Sequence, residues 1–415
     1  MLTIGRILSC STAPGTPSVY VDHAATTYNA GTKTIFPFED LPVELIILVF
    51  TLAIDTRPNA TRFPYTPLLV SKRWHEIALM ASELWKTIDF VCTSALDLPA
   101  ILSILKRHSS RSRSRLLDID LTLSRESCSV WVPLLASEGD ARWGSLRVRS
   151  ACGTILLPLL SFASRRLEAE ARCFASLETL EIVDDEDEKT SGFMTSKGCV
   201  VDWLPHILGG LTRLRKLHVQ HISLHRSTGE MPEAATHVAM SLKELCLEDV
   251  DAQAMTIFRY VDFPSLETLG IHCRSREAPS EKIIPAGLNL PSLKNVILYG
   301  VDQDNATALL SASPIIRNLA TSHCPLRNIV DSNLCPRLAN LVVHGTTGTW
   351  LPDVVKNRLP TIERLSVDHG FGKDSGEAGV SAMDWLKAHV EVELVGRAEL
   401  GFGPVCRRFS SAPHY

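Results

Sequence analysis

The chain lacks most of the features that announce catalysis, secretion or nucleic-acid binding. Only 6% of its 415 residues are aromatic. No apolar run is long enough to span a bilayer, which excludes a transmembrane helix. Neither sign of charge dominates: 42 Lys and Arg face 46 Asp and Glu, a net charge of −4, so no global basic field exists to hold nucleic acid. The eleven cysteines are odd in number, irregularly spaced and never in a Cys-x-x-Cys pair. That argues against a disulfide framework or a structural zinc site and predicts reduced thiols in a cytoplasmic or nuclear protein. Gly-x-Ser-x-Gly and His-Glu-x-x-His are both missing. The glycines at 370–376 fit neither the Walker pattern nor the dinucleotide fingerprint and read as a flexible connection. No catalytic, cofactor-binding or metal-ligating residue is therefore predicted, nor any nucleic-acid or membrane partner.

What is present is a globular composition, 45% hydrophobic and 21% charged, over a length that calls for two domains or an extended repeat array. Residues 1–35, rich in Ser, Thr, Pro, Gly and Ala, read as a disordered arm without the apolar core of a signal peptide. Asn59 and Asn305 match the glycosylation pattern but carry no weight without a secretory signal.

Residues 36–90 read as a small helical module. Pro42 suits a first helical turn, and Glu44 sits at the positive end of the dipole. The stretch 41–53 is almost entirely apolar, so such a helix must be buried on several sides or must offer a side to a partner. Thr66-Pro67 is a second start signal, after which Val70, Trp74, Ile77, Ala78 and Ala81 share a helical face. Ser82 can cap a third segment anchored by Leu84 and Trp85. On periodicity alone this is also what a three-helix cap on the following domain would look like.

The order of these motifs resembles an F-box of the fungal F-box-like type: Leu41-Pro42-x-Glu44-Leu45, then Val70-Ser-Lys-Arg-Trp74, then Leu84-Trp85. The gap at 54–67 is longer than in the compact form, and Ser71-Lys72 stands where many members carry Cys-Arg. The resemblance implies docking on the Skp-type subunit of a Skp–cullin–F-box ubiquitin ligase. The residues it assigns to docking or internal packing, undivided, are Leu41, Pro42, Leu45, Val49, Phe50, Val70, Trp74, Leu84 and Trp85. Trp74 is the expected internal anchor, and the exposed part of the first helix the expected contact.

The remainder repeats. An apolar-x-x-apolar-x-apolar pattern runs through Leu177-Leu180-Ile182, Leu214-Leu217-Val219, Leu242-Leu245-Leu247, Leu266-Leu269-Ile271 and Leu293-Val296-Leu298. Weaker copies carry Leu319, Leu341 and Leu365, and degenerate ones lie at 87–90, 116–123 and 146–148. From Leu217 onward the anchor leucine, or its valine equivalent, returns roughly every 22–28 residues, within the leucine-rich-repeat range. Each apolar-x-apolar core predicts a short strand, and 252–260, 305–311 and 351–357 predict helical returns. The expected fold class is α/β: a three-helix module, then a curved leucine-rich-repeat-like solenoid of short parallel strands and helices over 91–400, with a tail at 401–415. An ordinary α/β domain with parallel strands is the alternative.

In this reading the x positions face outward, so Lys216, His218, Glu244, Cys246, His272, Asn295, Tyr299, His344 and Arg364 are candidates for meeting a protein substrate, alongside positions such as Gly270 and Ile297. Their mixed chemistry suits a protein better than a phosphate backbone. His218, Cys246 and His272 are expected at similar levels on successive strands, but no standard metal ligand set completes them. The acidic run at 184–188 reads as a solvated loop, and the Arg- and Ser-rich run at 107–115 as a basic turn. The expected role is a non-enzymatic substrate adaptor. The rival is a ligase-independent scaffold whose helices only cap the repeats.

Overall fold

The computed structural model describes residues 41–55, 64–92, 98–123, 142–150, 176–184, 208, 211–220, 237–250, 252–273, 283–285, 287–322, 334–344, 351–358, 361–368 and 376–395. The elements below belong to one compact unit that begins at Val43.

Helix α1 (Val43–Asp55) is apolar on two sides. Ile46, Phe50 and Ile54, four residues apart, stack on one face and are buried. Thr66-Pro67 opens only a 3-10 turn, Pro67–Leu69, because Thr66 makes no side-chain cap. The α2 helix (Lys72–Met80) starts instead at Ser71, whose Oγ accepts from the Trp74 amide at 3.2 Å. Of the face expected on this segment, Ile77, Ala78 and Ala81 are buried, but Val70 ends the 3-10 turn and is exposed. A second 3-10 turn, Ser82–Trp85, carries Leu84 and Trp85 inward.

Among the described residues, twelve parallel strands form one sheet in strict chain order. They are β1 (Thr87–Cys92), β2 (Leu117–Leu123), β3 (Trp143–Ser150), β4 (Thr179–Asp184), β5 (Lys216–Gln220), β7 (Glu244–Val250), β9 (Thr268–Cys273), β10 (Asn295–Tyr299), β11 (Asn318–Ser322), β12 (Asn340–His344), β13 (Arg364–Asp368) and β14 (Glu391–Val395). A separate pair joins β6 (His237–Val238) to β8 (Val261–Asp262). Parallel neighbours need a returning crossover. Among the described residues, returns are α3 (Leu98–Arg111), a 3-10 run over Ala252–Arg259, α4 (Gln303–Ser311), α5 (Leu351–Arg358) and α6 (Gly376–His389). All three segments expected to be helical returns are therefore helical or 3-10. The three degenerate copies lie on β1, β2 and β3. The basic run at 107–115 is only partly a turn, because α3 continues to Arg111.

Register follows the leucines. Leu180, Leu217, Leu245, Leu269, Val296, Leu319, Leu341 and Leu365 are successive Cα partners across eight strands, and all are buried. Each such side chain contributes roughly 2 kcal/mol of burial, and a slip of one residue would turn the whole row outward. A backbone stitch fixes the start of each strand. The carbonyls of Glu178, Arg215, Lys243, Glu267, Lys294, Arg317 and Ala339 each accept two N–H groups from the next repeat. Where β10 ends, Gly300 has φ +65° and approaches the Cys273 carbonyl so closely that a Cβ would lie 2.7 Å from its oxygen, so only glycine fits.

Candidate interaction surfaces

The helical module separates the residues expected to dock from those that hold it together. Leu45, Leu48, Val49 and Leu52 lie at i, i+3, i+4 and i+7 on α1 and are all exposed, Leu48 at 53% and Leu52 at 55%. Leu69, Val70 and Met80 are exposed as well. Leu41 is half-buried and Pro42 exposed. Phe50, Leu84 and Trp85 are buried and unavailable to a partner. Trp74 is half-buried, its ring edge-on to Phe50 at 5.0 Å, so the deeper anchor is Trp85. Leu48, Leu52, Leu69 and Met80 were not among the expected contacts. The spacing from Leu45 held the signal for the first two, but a helix apolar on two sides does not say which side is covered.

Behind this surface, Trp85 joins the helices to α3. Its Nε1 donates to the Ala78 carbonyl at 2.8 Å, and its own carbonyl lies 3.0 Å from His108 Nδ1 on α3. A carbonyl can only accept, so Nδ1 carries the proton and Nε2 is bare. Tyr65 packs on both rings, and the Arg111 guanidinium lies 4.2 Å from the Trp85 ring centre. Burial lowers the His108 pKa to about 4, against the hydrogen bond to Trp85 and with the help of the Arg111 and Arg107 charges. The unfolded chain, with an ordinary imidazole, takes up this proton first as pH falls. Stability is therefore constant above about pH 6.5 and falls by about 3 kcal/mol between there and pH 4 through this group. Denaturant unfolding across that range will show the acid loss in the native chain and a flatter limb in His108→Gln. Equal limbs would remove His108 as the cause.

The outward sheet face changes character along the strands. Toward the N-terminal edge it is a charged network. Arg147 donates to Glu181 at 2.6 Å and reaches Asp120 at 3.4 Å, as does Arg149. Burial opposes the Arg147 charge, but Glu181 and Asp120 outweigh it and raise its pKa. Burial, then the neighbouring Asp120 charge, raises Asp89. His218 lies between Glu248, 3.1 Å from Nε2, and Glu181, 3.8 Å from Nδ1. Lys216 is exposed and pairs with Glu244 at 2.8 Å.

Toward the middle the face closes. Ile297 is 0% exposed, Gly270 is buried, and so is Tyr299, which corrects their placement among outward, accessible positions. Alternation along a strand says which face a side chain takes, not whether anything covers that face. Cys246, His272, Asn295 and His344 are half-buried, and Arg364 is exposed, 3.5 Å from Glu391. Cys246 pairs in register with His218 and Gly270, whereas His272 stands two residues further along and packs edge-on to Tyr299 at 5.9 Å. The expectation that His218, Cys246 and His272 share one level is thus corrected. Among the described residues no group of three His, Cys, Asp or Glu side chains could hold a metal ion. None of the described helices is long and apolar enough to cross a membrane. Residues 185–188 and 369–375, parts of the acidic and glycine-containing runs, lie outside the described residues.

No protein-family model matches the chain, and the comparison with curated proteins returns no match.

Proposed function

We propose that this chain is a substrate-recognition adaptor of a Skp–cullin–F-box type ubiquitin ligase, with residues 36–90 as an F-box-like docking module and the repeats as a leucine-rich-repeat-like solenoid that holds a protein substrate. The observation that carries this reading is the second apolar face of α1. Four neighbouring large side chains facing solvent cost solubility and mark a protein contact. Their opposite face is already used by Ile46, Phe50 and Ile54, so the helix has a buried side for its own fold and a free side for a partner. Leu45 and Val49, drawn from the F-box resemblance, belong to that free side. The strict chain order of the sheet supports a stacked-repeat reading of the rest. The adaptor transfers no ubiquitin itself. The odd number and irregular spacing of its eleven cysteines suit the reducing cytoplasm or nucleus.

The test is capture of purified Skp-type subunit by the full chain. The native chain will retain it, and Leu48→Ser with Leu52→Ser will reduce retention at least tenfold while the unfolding midpoint stays unchanged. Failure of the native chain to retain the subunit, or undiminished retention by the double variant, sinks the docking role. The scaffold reading would then stand on the Trp85–His108 contact, which ties the helices to α3.

A further inference from the structure

A groove of about 600 Å³ opens beside the starts of β11, β12 and β13. Its origin is legible in the row of residues that precede each strand, the same row whose carbonyls stitch the repeats. Along it run Lys243, Glu267, Lys294, Arg317, Ala339 and Glu363. The first three balance one another: Glu267 receives Lys243 and Lys294, each at 3.0 Å, and these two hydrogen bonds hold its pKa below the usual carboxylate range. The next position, Arg317, meets no such partner. Its neighbour on one side is Lys294, already engaged, and on the other Ala339, whose methyl group leaves both the space and the charge unfilled. Arg337 lines the same groove. Both arginines are exposed, and neither forms an ion pair or side-chain hydrogen bond among the described residues.

The floor is rigid. Asn340 Nδ2 donates to Asn318 Oδ1 and Asn318 Nδ2 to Asn295 Oδ1, both at 2.6 Å, and Asn295 Nδ2 donates to Thr268 Oγ1 at 2.9 Å. This ladder holds Asn318 and Asn340, which line the groove, in place before any ligand arrives. The far side carries Thr361 and Glu363. Two guanidiniums against one carboxylate leave the groove net positive, in a chain whose net charge is −4.

We propose that this groove binds an acidic peptide segment of a protein partner, with Arg317 and Arg337 receiving its carboxylates and Glu363 limiting how many acidic groups can enter. Guanidiniums take carboxylates through paired N–H donors, and an unspent pair on a preorganised floor is built for that contact. The proposal names the chemistry of one partner contact. It rests on the adaptor reading only for what becomes of the partner, because the groove does not involve α1.

The full-length chain is titrated with a short fluorescein-labelled poly-glutamate peptide, followed by anisotropy, with a poly-lysine peptide as control. The glutamate peptide will bind saturably and lose affinity as salt rises. Arg317→Ala and Arg337→Ala will each weaken it about tenfold. Ala339→Glu, which supplies Arg317 with the missing carboxylate and fills the groove, will abolish binding. Glu363→Gln will tighten it severalfold, a change of sign that a merely structural role does not produce. These positions are at or near the surface, so each variant is checked for an unchanged unfolding midpoint. Absence of binding, equal binding by the Ala339→Glu variant, or displacement of the peptide by inorganic phosphate at lower concentration than by free glutamate peptide would each overturn the assignment. Retention of the Skp-type subunit by the same Ala339→Glu protein keeps this outcome separate from the docking test.

Discussion

Replacing Trp85 by alanine will lower stability by about 3–5 kcal/mol, the range for removing a large aromatic from a packed interior. The indole is 0% exposed. It joins three parts of the molecule: α2 through the hydrogen bond to Ala78, α3 through His108 and Arg111, and the segment before α2 through Tyr65, whose ring lies 5.5 Å away. Truncation leaves a cavity and an unpaired Ala78 carbonyl together. Trp85→Phe keeps most of the volume but loses the Nε1 donor and will cost about 1 kcal/mol through that bond. Urea unfolding of the full chain measures both. A loss under about 1 kcal/mol for the alanine variant would show that the helices are not held by this side chain.

Asn305→Ala will cost about 2–4 kcal/mol, although it removes a small polar group. Asn305 is 0% exposed, and its Oδ1 accepts from the amides of both Ile283 and Ile284, at 3.0 and 2.9 Å. Its Nδ2 donates to Asp302 Oδ2 at 2.6 Å, and Asp302 Oδ1 caps α4 by accepting from the amides of Asp304 and Asn305. One side chain thus ties the start of α4 to the segment before β10. Removing it orphans two buried backbone donors at once. Hydrogen exchange at Ile283 and Ile284 will accelerate in step with the thermal loss. Unchanged protection there would contradict the role. Full burial also excludes the Asn305-Ala-Thr307 sequence as a glycan acceptor in the folded chain.

Much of the architecture is legible in the sequence, and the reason is periodicity. Leu217, Leu245, Leu269 and Leu341 stand where a period-2 pattern places them, and they are the inward row of the sheet. The helical returns were legible to within a few residues, though α4 begins two residues before Asn305, at Gln303, because its cap is Asp302. The second helix begins later than Thr66-Pro67 suggests, because Ser71 carries the start signal more fully, with an actual side-chain hydrogen bond.

The sites were less legible. Tyr299 and Ile297 alternate like surface residues yet are buried, and Leu48 and Leu52 belong to an apolar run yet face solvent. The Arg317–Arg337 groove exists because Ala339 is small in a row where its neighbours are charged, a fact about adjacent strands that are about two dozen residues apart in sequence.

Local pattern along the chain specifies the α/β class, the strand rows and the helical returns, because side-chain period and capping act over a few residues. Folding in three dimensions decides which of the two apolar faces of α1 is covered, that Trp85 and His108 share one buried contact, and which charges are left without a partner. Burial and pairing depend on what lies across a gap in space, and neighbours in sequence do not reveal it.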